Sequence, residues 1–292
     1  MAPSPDPDTA PDAALRQIVA DCRADLLKYR EIALKSSRPI GIHQTRVALR
    51  RLRAAFSVFR DAADGASGRR ELRALSAEAK WLAAECAPAR DLHVFLTEAV
   101  DDVPPLVARV ARRVASVHLE RARTALSGAR FGMLDTALFA FADQSPSRKG
   151  RLRDFGERVL DRRAARVDKD GRKLDQLDDE QLHALRIAIK KLRYSAVFLE
   201  PAFRSAPFDS GAAKAYIEAT VRLQGALGTL NDRVVAGQMV ADIAVAAKPT
   251  EDVARPLRTL AKQAASGEKA RRQKLARAWK QFRKTGRFWQ AS

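Results

Sequence analysis

Cysteine is nearly absent: the 292 residues contain two, Cys22 and Cys86, far apart in sequence. There is no CxxC pair or Cys/His cluster, so neither a disulfide scaffold nor a zinc site is indicated. Both thiols are expected to be buried small hydrophobes in a reducing cytosol. Glycine (14 residues) and aromatics (6%) are also sparse. Alanine, leucine and arginine dominate instead, which favours an all-α fold. No run of eighteen apolar residues occurs, so no membrane span is expected. The chain also lacks a GxSxG elbow, a P-loop, an HExxH pair and paired catalytic carboxylates. It is therefore not expected to be an enzyme, and no catalytic residue, metal ligand or cofactor is assigned. Acidic residues are the last deficit: 35 Asp+Glu face 54 Lys+Arg, a formal net charge of +19. That excess calls for a polyanionic partner, namely nucleic acid, polyphosphate or an anionic membrane surface.

What the chain does have is one stretch that occurs twice. His43-Gln-Thr-Arg46-Val-Ala-Leu-Arg50-Arg51-Leu-Arg53 returns, 140 residues later, as His183-Ala-Leu-Arg186-Ile-Ala-Ile-Lys190-Lys191-Leu-Arg193. Neither copy contains Gly or Pro, and both are rich in helix formers. At about 100° per residue, His43, Arg46, Arg50 and Arg53 share a sector roughly 80° wide. Ser57 and Arg60 prolong it, while Leu49, Leu52, Phe56 and Phe59 fall opposite. His183, Arg186, Lys190 and Arg193 repeat the division against Ile189, Leu192 and Leu199. Arg51 and Lys191 stand on a flank of each helix. A cationic stripe at i, i+3, i+4 and i+7 repels itself, yet neither stripe contains a carboxylate before Glu200. The counter-charge is expected to come from outside the chain.

The remaining sequence arranges itself around these two helices. Residues 1–11, acidic and proline-rich without an apolar stretch, read as a disordered leader rather than a signal peptide. A domain over 12–292 follows, with an N-terminal half of about 12–145 and a C-terminal half of about 146–292, divided at Ser145-Pro146. Helices are expected over 12–36 (Asp12 as cap), 69–87 (ending before Pro88) and from Arg90 to about Val103. Further ones fall at 105–127, at 151–168 with Arg158, Arg162 and Arg166 at fourfold spacing, and at 249–284. Asp178-Asp-Glu180 reads as N-terminal capping charge for the second striped helix, not as a metal site. Asp91 and Asp232 occupy equivalent places in the repeat, suited to capping a helix or pairing with a buried arginine. Trp279, Phe282, Phe288 and Trp289 are expected to dock the final helix on the core. His93 and His118 receive no role.

With these residues in view, the sequence resembles the CHAD family, the conserved histidine α-helical domain. The resemblance rests on His43/Arg46/Arg50/Arg51/Arg53, Arg90-Asp91, His183/Arg186/Lys190/Lys191/Arg193/Tyr194, Asn231-Asp232 and the closing Ala-Trp-Lys-Gln-Phe-Arg…Phe-Trp pattern. It covers about residue 10 to the end. It implies two antiparallel helical bundles of about four helices each, related by a pseudo-twofold axis around a basic central cavity. It also implies binding of inorganic polyphosphate, with some members associated with polyphosphate or storage granules. Other members are fused to a triphosphatase tunnel domain whose ExExK signature is absent here, which points to a stand-alone binding module in the cytoplasm.

The chemistry agrees with that expectation. Polyphosphate has about one charge per repeat and no base edges, and arginine's planar fork suits its oxygens. The expected polyphosphate-binding residues are His43, Arg46, Arg50, Arg51, Arg53, His183, Arg186, Lys190, Lys191 and Arg193. The two histidines either donate as neutral rings or add charge near pH 6. A non-specific nucleic-acid-binding protein is the alternative, weakened because aromatics interleave poorly with the stripes. A hydrolase of phosphate chains is a third reading.

Overall fold

In the computed structural model, the described residues are 6–94, 105–146, 150–205, 208, 211–228, 255, 258, 259 and 267–290. They form an all-α fold: α1 (Pro11–Lys35), α2 (Ile40–Val58), α3 (Gly65–Val94), α4 (Pro105–Ser127) and α5 (Ala129–Asp143) in the first half. In the second half come α6 (Leu152–Asp170), α7 (Asp179–Leu199), α8 (211–228) and α9 (Glu268–Lys284). Buried side chains from both halves belong to one continuous core. Helices adjacent in sequence pack together, α1 on α2, α2 on α3, α3 on α4 and α6 on α7, and α2 lies against α7 across the halves.

The striped helices form for the reasons their sequences give. In α2 the inner positions Leu49, Leu52, Ala55 and Phe56 are at most 3% exposed, a narrow apolar seam at helical spacing. α7 repeats it with Leu185, Ile189, Leu192 and Leu199. Asp178 caps α7 in a reciprocal box: its Oδ1 accepts from the Gln181 N–H at 2.8 Å, and the Asp178 N–H donates to Gln181 Oε1 at 3.0 Å. α2 is seated on α1 at Gly41, where a Cβ would lie 2.6 Å from the backbone nitrogen of Ala33. Only glycine permits so close an approach.

Five features depart from the sequence reading. Pro88 does not end a helix; it lies inside α3. The apolar stripe Leu75, Ala79, Leu82, Cys86, Ala89 and Leu92 runs buried through it. The carbonyl that Pro88 leaves without an N–H belongs to Ala84, on the exposed side where water can serve it. α5, unassigned from the sequence, buries Phe131, Leu134, Leu138 and Phe141, a spacing that does carry a helical signal. The expected 249–284 helix is broken at Gly267, whose left-handed φ of 76° starts a separate final helix at Glu268; before it, residues 255, 258 and 259 are helical, and the rest of 249–266 lies outside the described residues. Asp12 is not the cap of α1, since it follows Ala10 and Pro11 inside the first turn. Part of the expected leader is also held: Thr9 and Pro7 carbonyls accept from the Leu152 and Arg153 N–H groups at 2.9 and 3.2 Å, tying the chain's start to α6. Residues 95–104 and 229–254, with the expected helix beyond Val94 and the Asn231-Asp232 motif, lie outside the described residues.

The C-terminal aromatics dock as expected. Phe282, Phe288 and Trp289 are at most 5% exposed, Tyr216 meets all three rings, and Trp289 Nε1 donates to Asp161 Oδ1 at 2.9 Å. Among the described residues no helix is long and apolar enough to cross a membrane.

Candidate functional site: a cationic ridge shared by two helices

α2 and α7 cross in opposite senses. Arg50 pairs with Tyr194, whereas Ser57, further along α2, and Arg60, just past its end, line a cleft with Ala188 and Lys191, further back along α7. Residue numbers that rise on one helix fall on the other, so the helices are antiparallel. This arrangement brings the two stripes together. Lys190, half-buried, has its pKa lowered first by desolvation and then by four cations. Two of them, Arg50 and Arg53, come from α2; the others, Arg186 and Arg193, are its own neighbours. No carboxylate contributes to that shift.

The remaining members divide by partner. Arg50 Nε donates to the Tyr194 hydroxyl at 2.8 Å, and the Arg193 guanidinium lies 4.6 Å from the centre of the Tyr194 ring. Tyr194 is thus a post between the ridges, and the residue is 6% exposed. Among the described residues, Arg50, Arg53, Arg186, Lys190 and Arg193 have no ion-pair partner. Arg46 is more internal: Nη1 donates to the Ala83 carbonyl at 3.0 Å, and Nη2 lies 3.7 Å from Asp91. Burial, the leading cause for both, lowers the Arg46 pKa and raises that of Asp91. Asp91 therefore meets the buried-arginine expectation rather than the capping one. His43 sits half-buried in the first turn of α2, and His183 is exposed near the start of α7.

Two predicted site residues lie off the ridge. Arg51 turns to α1, where Nη1 lies 3.2 Å from Asp25 Oδ2. Lys191 joins a cleft beside α6. Their flank positions, visible from helical periodicity, were the signal for both. Some cations of the other basic helices are answered by the protein itself. In α4, Arg121 is bidentate to Glu85, and Arg123 pairs with Glu120 while donating to the Ala33 and Ser36 carbonyls. Arg283, near the end of α9, pairs with Asp168. What marks the ridge is that a half-buried ammonium, Lys190, is crowded by four arginines from two helices. Among the described residues no cluster of His, Cys, Asp and Glu could hold a metal ion.

The model of the CHAD domain matches residues 17–241. The chain belongs to the CHAD family. A crystal structure of the CHAD domain from the plant Ricinus communis superposes with a TM-score of 0.81 at 22% identity, covering 99% of this chain and 96% of that one. PptA from Streptomyces chartreusis superposes with a TM-score of 0.64 at 15% identity, covering 92% and 99%. At those identities the two structures establish the shared CHAD fold. Among curated proteins, none matches.

Proposed function

We propose that this CHAD domain binds inorganic polyphosphate along the ridge formed by α2 and α7. The observation that carries the reading is Lys190: a half-buried ammonium ringed by Arg50, Arg53, Arg186 and Arg193, with no carboxylate ion-paired to any of the five among the described residues. Such an arrangement opposes its own folding unless an external anion relieves it. His43, Arg46, Arg50, Arg53, His183, Arg186, Lys190 and Arg193 form the contact surface. Tyr194 and Asp91 orient Arg50 and Arg46.

The ring inventory favours an inorganic chain over nucleic acid. Single-stranded nucleic acids are held by exposed aromatic platforms. Tyr194 and Phe198 are at most 6% exposed, and the Phe56 ring at 3% faces the core, so the ridge offers phosphate donors without stacking surfaces. The domain acts as a binder rather than a hydrolase, in the cytoplasm and on polyphosphate granules.

The test is retention on immobilised long-chain polyphosphate. Replacing Arg50, Arg53, Arg186 and Lys190 by Glu abolishes retention while the far-ultraviolet circular dichroism stays helical; retention unchanged by the four substitutions overturns the reading. Affinity of the unmodified protein falls linearly in log–log form with salt, and Lys190→Gln reduces the slope by about one counterion. Duplex DNA fails to displace the polyphosphate, and efficient displacement would favour a general nucleic-acid binder. Release of orthophosphate with divalent metal present would favour a hydrolase.

A further inference from the structure

Beyond the crossing, the α2 ridge runs into a cleft of about 340 Å³ between α2, α6 and α7. Its lining carries Arg60, Arg162, Arg163, Arg166 and Lys191 against one carboxylate, Asp61. Asp61 is already engaged, 2.8 Å from Arg162 and 3.6 Å from Arg60. Arg166 is 2.7 Å from Asp170. Asp61, shared by Arg60 and Arg162, cancels one charge and Asp170 another, so three of the five positive charges are left over, two of them on Arg163 and Lys191.

Arg163 is held in place by the protein. Its Nη2 donates to the Ser57 carbonyl at 2.8 Å and lies 3.3 Å from Ser57 Oγ, while its buried Nε has no acceptor. Burial first, then the neighbouring Arg162, pushes its pKa down to about 10. Lys191 is exposed, with no ion-pair partner among the described residues. The cleft thus presents an anchored guanidinium and an unpaired ammonium beside Ser57.

We propose that this cleft is a separate seat for a phosphate dianion, either free orthophosphate or the terminal phosphate of a linear chain. A terminal phosphate carries up to about two charges near neutral pH, whereas an internal polyphosphate unit carries one. A compact cluster of cations therefore selects ends, and an extended ridge does not. The chain-end arm rests on the polyphosphate reading; the orthophosphate arm does not.

The experiment uses the full chain and follows thermal unfolding as orthophosphate replaces chloride at constant ionic strength. The expected result is a saturable rise in Tm for the wild type. The rise is lost in Arg162→Gln/Arg166→Gln, and its midpoint shifts about tenfold to higher phosphate in Lys191→Gln, as for loss of one charge-assisted contact. Arg50→Glu/Arg186→Glu retains the rise. If the α6 double variant unfolds at the outset, Lys191→Gln decides alone, since Lys191 makes no ion pair that its loss would orphan. No rise in the wild type, or equal midpoints in the wild type and Lys191→Gln, overturns the proposal. Competition by linear tripolyphosphate but not by cyclic trimetaphosphate assigns the chain end. Equal weakness of the two assigns free orthophosphate. Loss of wild-type retention on immobilised polyphosphate with the orthophosphate response intact would sink the ridge reading and leave the cleft standing.

Discussion

Tyr194 Oη accepts a hydrogen bond from Arg50 Nε at 2.8 Å, joining the two halves of the chain across 144 residues. The phenol occupies space between two cationic helices, gives one arginine an acceptor and presents its ring to another, Arg193. A carboxylate at this place would neutralise the ridge. A neutral hydroxyl orients Arg50 while leaving its charge available. Tyr194→Phe removes the acceptor and little volume, so it costs about 0.5–1.5 kcal/mol. Urea denaturation of the variant reads this loss, and an unchanged midpoint would show that the bond contributes nothing.

Lys190 makes stability depend on alkaline pH. Its folded pKa lies below the ordinary 10.5, owing to burial first and then to Arg50, Arg53, Arg186 and Arg193. Between the two values the unfolded chain binds more protons, so stability rises with pH in that window. The cost of charging Lys190 is full below its folded pKa and relieved as pH climbs through it toward 10.5. Melting temperatures of the wild type, measured as a difference from Lys190→Met, should rise across that interval. A flat difference would contradict the electrostatic description of the ridge.

Gly41 sets the depth at which α2 seats on α1. A methyl group there would meet the Ala33 backbone at 2.6 Å, and backbone cannot rotate aside. Gly41→Ala is expected to destabilise by about 1–3 kcal/mol, despite alanine's higher helix propensity. Chemical denaturation checks the sign, and a more stable variant would refute the close packing.

Cys22 and Cys86 are buried, and desolvation pushes both thiols up to about 12. The thiolate is the reactive form. Neither should titrate with a disulfide reagent at pH 8 in the native protein, and both should do so in denaturant. Rapid native labelling would mean that the core opens locally at α1 or α3.

Much of the site was legible in local spacing. The doubled His/Arg/Lys stripe, its apolar reverse and the capping charge at Asp178 are properties of about two turns of chain each, and helical periodicity exposes them. The same reasoning placed Arg51 and Lys191 on a flank, and there they remain, one paired with Asp25 and the other in the α6 cleft. Pro88 misled because the sequence reading treated it as a break, whereas the buried stripe from Leu75 to Leu92 holds α3 through it. Arg163 was missed altogether. Only its proximity to Arg162 and Arg166 on a basic helix hinted at it, and nothing local says that Ser57 would receive it.

The sequence by itself determined that the chain is helical, strongly cationic and built around two matching ridges, because residue spacing dictates which side chains share a helix face. Only the tertiary structure decided that those ridges meet, that Tyr194 stands between them, and that the end of one becomes a cleft against α6. Those outcomes depend on which distant surfaces are complementary in shape. For α2 and α7 that choice is made through packing between residues roughly 140 positions apart, where no local pattern records it.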